Sequence, residues 1–148
     1  MKEHKHLGAY ALILKDNQIL LIEKITGPYD GKLDLPGGTI EFSETPEETL
    51  KRELLEETGI DVINYELFDA NSVTVVWKPQ ENLEVKTHHI GIFYKILNYK
   101  NKIKKEIQND EINDDSLGAE FYDIDKLTKD NLSAIAILEL EKLGYHLK

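Results

Sequence analysis

The chain has 148 residues and a mass of 17.0 kDa, with 41% hydrophobic and 31% charged residues, which is typical of one folded domain rather than a disordered or fibrous chain. It has no cysteine, which excludes disulfides, thiolate zinc sites and cysteine nucleophiles. The formal net charge of −10 argues against a groove for a nucleic-acid polymer, because clustered Lys and Arg hold phosphate backbones.

Apolar runs of strand length open the chain. Residues 9–14 and 18–24 are two such runs, and the polar Lys15-Asp16-Asn17 between them predicts a β-hairpin. Glycines and prolines follow on either side of a short extended piece at residues 32–35, which indicates a loop-rich connection. The first ten residues are charged and lack the apolar core of a signal peptide, so we expect none.

A helix start follows this loop region. Thr45 supplies an N-cap hydroxyl, Pro46 suits the first helical position, and Glu48 completes a capping box. Gly59 can adopt the left-handed conformation that ends a helix. The sequence therefore predicts a helix over residues 46–58.

The rest of the chain alternates strand and loop signals before a final helix. Residues 61–78 and 88–97 are rich in β-branched and aromatic side chains and predict two strands, joined by the polar stretch 80–84. Three further elements are predicted: a long surface loop at 101–118, a short strand at 120–124, and a helix at 128–143 that stops at Gly144. The order β, β, α, β, β, β, α predicts an α/β fold in which a mixed sheet packs against helices.

The predicted first helix carries a dense group of acidic residues. Glu53, Glu56 and Glu57 have the spacing i, i+3 and i+4, which places their carboxylates on one helix face. Such crowding costs about 0.2 to 0.5 kcal/mol per pair on an exposed helix. A hard divalent cation relieves it, and Mg²⁺ binds through one or two carboxylates together with substrate phosphates. An ordinary solvated acidic face is the competing interpretation of any such group of glutamates.

The spacing of nine residues decides between these interpretations. These residues are, in order, Gly38, Glu44, Arg52, Glu53, Leu54, Glu56, Glu57, Gly59 and Ile60. They match the Nudix box at every fixed position. The lead-in LPGGTIEFSE at residues 35–44 also resembles that of the family. The chain resembles a MutT-like Nudix hydrolase, with the box at residues 38–60 in a single domain over residues 1–148.

This resemblance implies an α/β/α sandwich with a mixed β-sheet and a site that uses Mg²⁺ or Mn²⁺ to cleave a diphosphate linked to a group X. Carried over by position, Glu53, Glu56 and Glu57 are metal ligands, with the backbone of Gly38 or its neighbour as a further ligand. Arg52 would anchor a glutamate, so that Arg52, Glu53 and Glu56 form the expected catalytic set. Glu44 would orient the box or contact the metal through water.

Two further residues are candidates outside the box. Some family members supply another acid before the last strand, and Asp115 is favoured here over the other acids of the same loop: Asp110, Glu111, Asp114 and Glu120. Most of these are expected to be solvated loop charges. Lys24, at the end of the second strand, is a candidate for binding a substrate phosphate, although lysines at strand ends are more often solvated.

The expected function is Mg²⁺-dependent hydrolysis of a small nucleotide substrate in the cytoplasm, with a nucleoside triphosphate favoured. A non-catalytic nucleotide sensor that keeps the fold is the alternative. We expect no nucleic-acid polymer and no membrane as partners, and a homodimer stays open. The ADP-ribose subset of the family tends to carry a proline about fifteen residues past the box, and residues 71–78 have none. ADP-ribose is therefore a less favoured substrate, but it is not excluded.

Overall fold

The computed structural model describes residues 1–104 and 116–148, which contain eight strands and two α-helices. The strands are β1 (Lys2–Leu12), β2 (Leu14–Lys15), β3 (Gln18–Lys24), β4 (Leu33–Asp34), β5 (Gly37–Thr39), β6 (Asp61–Gln80), β7 (Leu83–Lys100) and β8 (Ser116–Asp123). The helices are α1 (Pro46–Thr58) and α2 (Ala134–Lys142). Short 3-10 turns lie at Gly27–Tyr29 and Ile124–Lys126.

The strands form two sheets of four strands each. In the first sheet the order is β5-β1-β7-β6, with β1 parallel to β7 and the other pairs antiparallel. In the second sheet β3 pairs antiparallel with β2, β4 and β8. The predicted mixed sheet is therefore the first of the two, and the second is antiparallel.

The helices cover opposite faces of the sheets, which confirms the α/β/α sandwich. Side chains alternate along a strand, so neighbours in β1 belong to different cores. One core packs α1 and contains Ala9, Ala11, Ile13, Leu20, Leu50 and Leu54. The other packs α2 and contains Tyr10, Leu12, Ile19, Leu21, Ile135 and Leu140.

The predicted opening hairpin is confirmed only at its tip. Leu14 and Lys15 of β2 pair with Ile19 and Gln18 of β3 across a turn that contains Asp16 at φ 54°. Most of the first apolar run instead belongs to β1, which pairs with β5 and β7. An apolar run that is buried on both faces has a strand's composition, but its composition does not select its partner strands.

The long hairpin of β6 and β7 extends beyond both predicted strands. Its turn is only two residues long, because Gln80 already pairs with Leu83, whereas the sequence predicted a connection at 80–84. The strand β8 likewise begins at Ser116 rather than at residue 120, which shortens the predicted loop. The remainder of that loop at 105–115, with Asp115, lies outside the described residues.

The final helix is shorter than the predicted 128–143, because the chain before it pairs with β4. Leu33 N–H donates to Asn131 O at 2.8 Å, and Ser133 N–H donates to Leu33 O at 2.8 Å. This bridge holds residues 131–133 extended, and the Ser133 side chain then accepts from Ala136 N–H at 3.2 Å as the N-cap. Across the described ranges, every helix is too short or too polar to cross a membrane.

Candidate active site

The acidic helix α1 begins as predicted. Glu48 N–H donates to Thr45 Oγ1 at 3.1 Å, and Thr45 N–H donates to Glu48 Oε1 at 3.0 Å, which completes the capping box. Leu50 and Leu54 are fully buried against the sheet. Because these two leucines fix the orientation of the helix, its acidic face is turned toward a cleft beside β5.

Arg52 connects the carboxylates of this face. Its Nε donates to Glu44 Oε2 at 2.8 Å and its Nη2 to Glu44 Oε1 at 2.9 Å, a two-pronged contact. Its Nη1 donates to Glu53 Oε1 at 2.7 Å and lies 3.5 Å from Glu56 Oε2. Its Nη2 also donates to the Thr39 carbonyl at 3.2 Å. The guanidinium therefore ties the loop before α1 to two of the predicted metal ligands.

The contacts of Arg52 shift the pKa values of Glu44 and of Arg52 itself. The hydrogen bonds from Arg52, with help from the backbone at Glu41, lower the pKa of Glu44 to about 2. The same contact with Glu44 raises the pKa of Arg52, against the opposing effect of burial. Both groups are charged at any pH at which the protein would function.

Two glycines of β5 lie against the carboxylates of Glu57 and Glu53. Gly37 N–H donates to Glu57 Oε1 at 2.7 Å, and Glu57 is almost fully buried. A Cβ added at Gly38 would lie 2.6 Å from the carboxyl carbon of Glu53. Glycine at position 38 therefore leaves the space that the Glu53 carboxylate occupies.

These groups line one cleft of about 710 Å³. Its carboxylate wall consists of Gly37, Gly38, Glu41, Arg52, Glu53, Glu56 and Glu57. A second surface, which we call the aromatic wall, consists of His6, Tyr10, Tyr29 and His89. Lys24 and Asp34 also line the cleft. The predicted metal ligands within the described chain and the predicted phosphate-binding lysine thus reach a common space.

The aromatic wall is centred on His89. Tyr10 Oη lies 2.5 Å from His89 Nε2, and Tyr29 Oη lies 2.8 Å from His89 Nδ1. Burial, together with the charges of His6 and Lys24, lowers the pKa of His89 to about 3, so its ring is neutral at neutral pH. Burial also raises the pKa values of both tyrosines.

Only part of this wall was predictable from the sequence. Side chains alternate along a strand, so at most one of the neighbours His88 and His89 can face the cleft; His89 does so, and His88 is exposed outside it. His6 and Tyr29 were not singled out. The available signal was that His6 has the same strand parity as Tyr10, whereas nothing local marks Tyr29.

The carboxylate wall fits a hard divalent cation in its donor chemistry. All its candidate donors are carboxylate or backbone oxygens, the type that Mg²⁺ and Mn²⁺ prefer. Within residues 1–104 and 116–148, no three acidic or histidine side chains already converge in a ready metal-binding arrangement. Arg52 Nη1 contacts both Glu53 and Glu56, and Glu57 is bonded to Gly37, so metal binding would require these carboxylates to reorient. Their role as ligands stays a prediction.

Comparison with protein families decides the classification. The family model described as NUDIX domain matches residues 4–140. The chain belongs to the NUDIX domain family. Solved structures agree at the level of the Nudix fold: a MutT NUDIX hydrolase from Burkholderia pseudomallei has a TM-score of 0.75 at 22% identity, covering 95% of this chain and 99% of that one. A MutT protein from Methanosarcina mazei has a TM-score of 0.66 at 21% identity, covering 96% and 94%.

Curated relatives of this Nudix chain have several names. An ADP-ribose pyrophosphatase of Methanocaldococcus jannaschii is 32% identical over 85% of this chain and 66% of the relative. A probable DHNTP pyrophosphohydrolase of Lactococcus lactis is 36% identical over 60% and 51%. An 8-oxo-dGTP diphosphatase of Haemophilus influenzae is 45% identical over 35% and 39%. The alignments thus span between 39% and 66% of these relatives' lengths.

Proposed function

We propose that this protein hydrolyses a diphosphate bond in a nucleoside diphosphate linked to a group X, with Mg²⁺ or Mn²⁺ as cofactor and nucleoside triphosphates as the first substrates to test. The proposal treats residues 1–148 as one Nudix hydrolase domain. The observation that carries it is the contact of the Arg52 guanidinium with Glu44 and with Glu53 and Glu56, the latter two lining one cleft together with Arg52. The relatives named for three nucleotide substrates support the class of reaction.

The residues of the carboxylate wall have distinct proposed roles. Glu53, Glu56 and Glu57, with the Gly38 backbone, would hold the cation. When bound, the cation supplies positive charge to phosphate oxygens and lowers the pKa of a water molecule. The guanidinium N–H groups of Arg52 already contact Glu44, Glu53, Glu56 and the Thr39 carbonyl. Arg52 therefore acts as a positioning residue, which holds the carboxylates in place.

Proton transfer is assigned to Glu56. Its side chain is 53% exposed, against 17% for that of Glu53. An exposed carboxylate that lines the cleft can accept a proton from the attacking water and release it to solvent. Lys24 lines the same cleft and offers positive charge to a substrate phosphate. The substrate is a small nucleotide rather than a nucleic-acid polymer, because the net charge of −10 opposes binding of a long phosphate backbone.

Substitution of single carboxylates tests the proposal. Glu53→Gln and Glu57→Gln preserve side-chain shape, and in Glu57→Gln the amide oxygen would still accept from Gly37 N–H. Both should abolish metal-dependent hydrolysis of a panel of nucleoside triphosphates, 8-oxo-dGTP and ADP-ribose. The products to identify are phosphate or pyrophosphate from the triphosphates, and AMP with ribose 5-phosphate from ADP-ribose. The thermal midpoint should stay close to that of the wild type.

Glu47→Gln is the matched control, because Glu47 lies on the same helix, outside the cleft, where it accepts from Tyr94 Oη at 3.2 Å. This variant should retain turnover. Unchanged turnover in both cleft variants would defeat the proposal. A nucleotide that binds persistently without product would favour a nucleotide sensor instead.

A further inference from the structure

The aromatic wall is built on paired glycines in neighbouring strands. Gly8 of β1 lies opposite Gly91 of β7, and His6 lies opposite His89 two residues earlier. A Cβ at Gly8 would collide with the Tyr10 ring, and a Cβ at Gly91 would collide with the Phe93 ring. Because these two positions have no Cβ, the rings of Tyr10 and Phe93 can lie along the sheet on the side of His6 and His89.

The rings of the wall are packed on one another. His6 and His89 stack with centroids 4.6 Å apart and an angle of 9° between their planes. Tyr29 also stacks on His89, with centroids 5.6 Å apart. His6 Nε2 forms a hydrogen bond of 2.8 Å with Thr39 Oγ1, which attaches it to the strand that leads into the carboxylate wall.

Hydrogen bonds fix the orientation of the innermost ring. His89 has both ring nitrogens bonded to tyrosine hydroxyls and is 2% exposed, so it cannot rotate without breaking a buried hydrogen bond. Because a neutral imidazole has one donor and one acceptor, one tyrosine donates to it and the other accepts from it. His6 is the half-buried histidine that rests against this fixed ring and faces the cleft.

The cleft therefore has two chemically different surfaces. Carboxylates and Arg52 crowd one side, where a metal-bound diphosphate would lie under the proposed function. The other side presents planar, polarisable rings with hydroxyl and imidazole groups, which suit a planar heterocycle. The volume of about 710 Å³ is within the range of small-molecule sites.

We propose that the aromatic wall binds the nucleobase of the substrate, that His6 supplies the ring contact, and that His89 is the positioning residue that holds His6. This inference rests on the proposed function and deepens it, because it names the residues that contact the base of the nucleoside and excludes substrates whose recognition depends on the sugar and phosphates alone. Loss of one base–ring contact weakens binding about 10-fold.

A titration of free nucleosides tests the base contact without metal and without turnover. The probes are adenosine, guanosine, cytidine and uridine in EDTA, with ribose as the matched probe that has no base. Histidine ring protons are followed by NMR. At least one nucleoside should shift the His6 resonance saturably, ribose should not, and His88 and His146, outside the cleft, serve as internal controls.

The outcomes are distinct. A saturable His6 shift that appears with a nucleoside and not with ribose supports the inference. Equal shifts with ribose, or no saturable shift up to the solubility limit of all four nucleosides, overturn it. Since the titration uses neither metal nor turnover, it can succeed when the hydrolase proposal fails, and it can fail when hydrolysis is observed.

Variants then separate ring contact from structural support. With the nucleotide that gives turnover, His6→Ala should raise KM about 10-fold with kcat within about 2-fold, and His6→Phe should restore KM. His4→Ala, on the same strand outside the cleft, should leave KM unchanged. His89→Phe keeps a ring beside His6 without the tyrosine hydrogen bonds, so it should raise KM several-fold. A fall in kcat alone in His6→Ala, or an unchanged KM in both His6→Ala and His89→Phe, would overturn the assignment.

Discussion

Arg52 and Glu44 form a two-pronged ion pair, with Nε–Oε2 and Nη2–Oε1 distances of 2.8 and 2.9 Å. Glu44 also accepts from Thr49 Oγ1 at 2.8 Å and from Glu41 N–H at 2.9 Å. Its two oxygens therefore have donors from the loop, from the helix and from Arg52. This pair fixes the position from which Arg52 reaches Glu53 and Glu56.

Replacing Arg52 should reduce catalysis through these carboxylates. Arg52→Ala should lower kcat/KM about 10- to 100-fold, the scale of losses from residues that hold metal ligands. Arg52→Lys should recover little, because an ammonium cannot contact Glu44 at two points and reach Glu53 as well. The measurement is kcat/KM and the Mg²⁺ concentration for half-maximal rate. Full activity in Arg52→Lys would contradict the positioning role.

The lowered pKa of Glu44 gives a prediction for acid stability. The folded-state pKa of about 2 lies below the ordinary 4.5, so this group contributes stability above pH 4.5 and loses that contribution as pH falls toward 2. Thermal midpoints of the wild type and of Glu44→Gln should therefore differ more at pH 6 than at pH 2.5. Parallel midpoints over that range would show that the Arg52 contact does not stabilise the ionised form.

Neighbouring glycines of β5 should respond differently to the same substitution. At Gly38 the added Cβ would meet the carboxylate of Glu53, which can move, so Gly38→Ala should fold and lose activity at least about 10-fold. At Gly37, with φ 142°, the Cβ would collide with the backbone carbonyl of Ala9. Gly37→Ala should lower the thermal midpoint strongly. Thermal melts and turnover of the two variants check this prediction. A folded, fully active Gly38→Ala would show that the Glu53 carboxylate does not depend on the space left at position 38.

The parts of this site that could be predicted from the sequence are those formed by residues close together in the chain. The capping box and the i, i+3, i+4 spacing involve residues close in sequence, so the carboxylate face of α1 followed from the chain alone. The aromatic wall depends on pairing between β1 and β7, where contacting residues such as Tyr10 and His89 are 79 positions apart. The prediction of a helix start at residue 128 was wrong for a similar reason, since the bridge to Leu33, far away in the sequence, holds Leu132 extended.

A buried carboxyl pair outside the cleft should make stability depend on pH. Glu139 of α2 is fully buried beside Asp69 of β6, and Lys142 Nζ donates to Asp69 Oδ1 at 3.0 Å. Neither Glu139 oxygen has a hydrogen-bond partner among the described residues when both acids are ionised, whereas a proton on Glu139 would supply a donor to Asp69. Burial and the hydrogen bond with Asp69 raise the pKa of Glu139 to about 8.

The direction in which the free energy of unfolding changes with pH follows from the proton on Glu139. Between the ordinary 4.5 and about 8, the folded protein retains a proton that the unfolded chain has released, so the free energy of unfolding should fall as pH rises and level off above 8. Glu139→Gln keeps a donor toward Asp69 and removes this dependence, so it should be more stable than the wild type at pH 8 by about 1 to 3 kcal/mol. Urea unfolding at pH 5 to 9 measures it, with the exposed Glu141→Gln as control. Equal pH slopes for the wild type and Glu139→Gln would show that the pair does not share a proton.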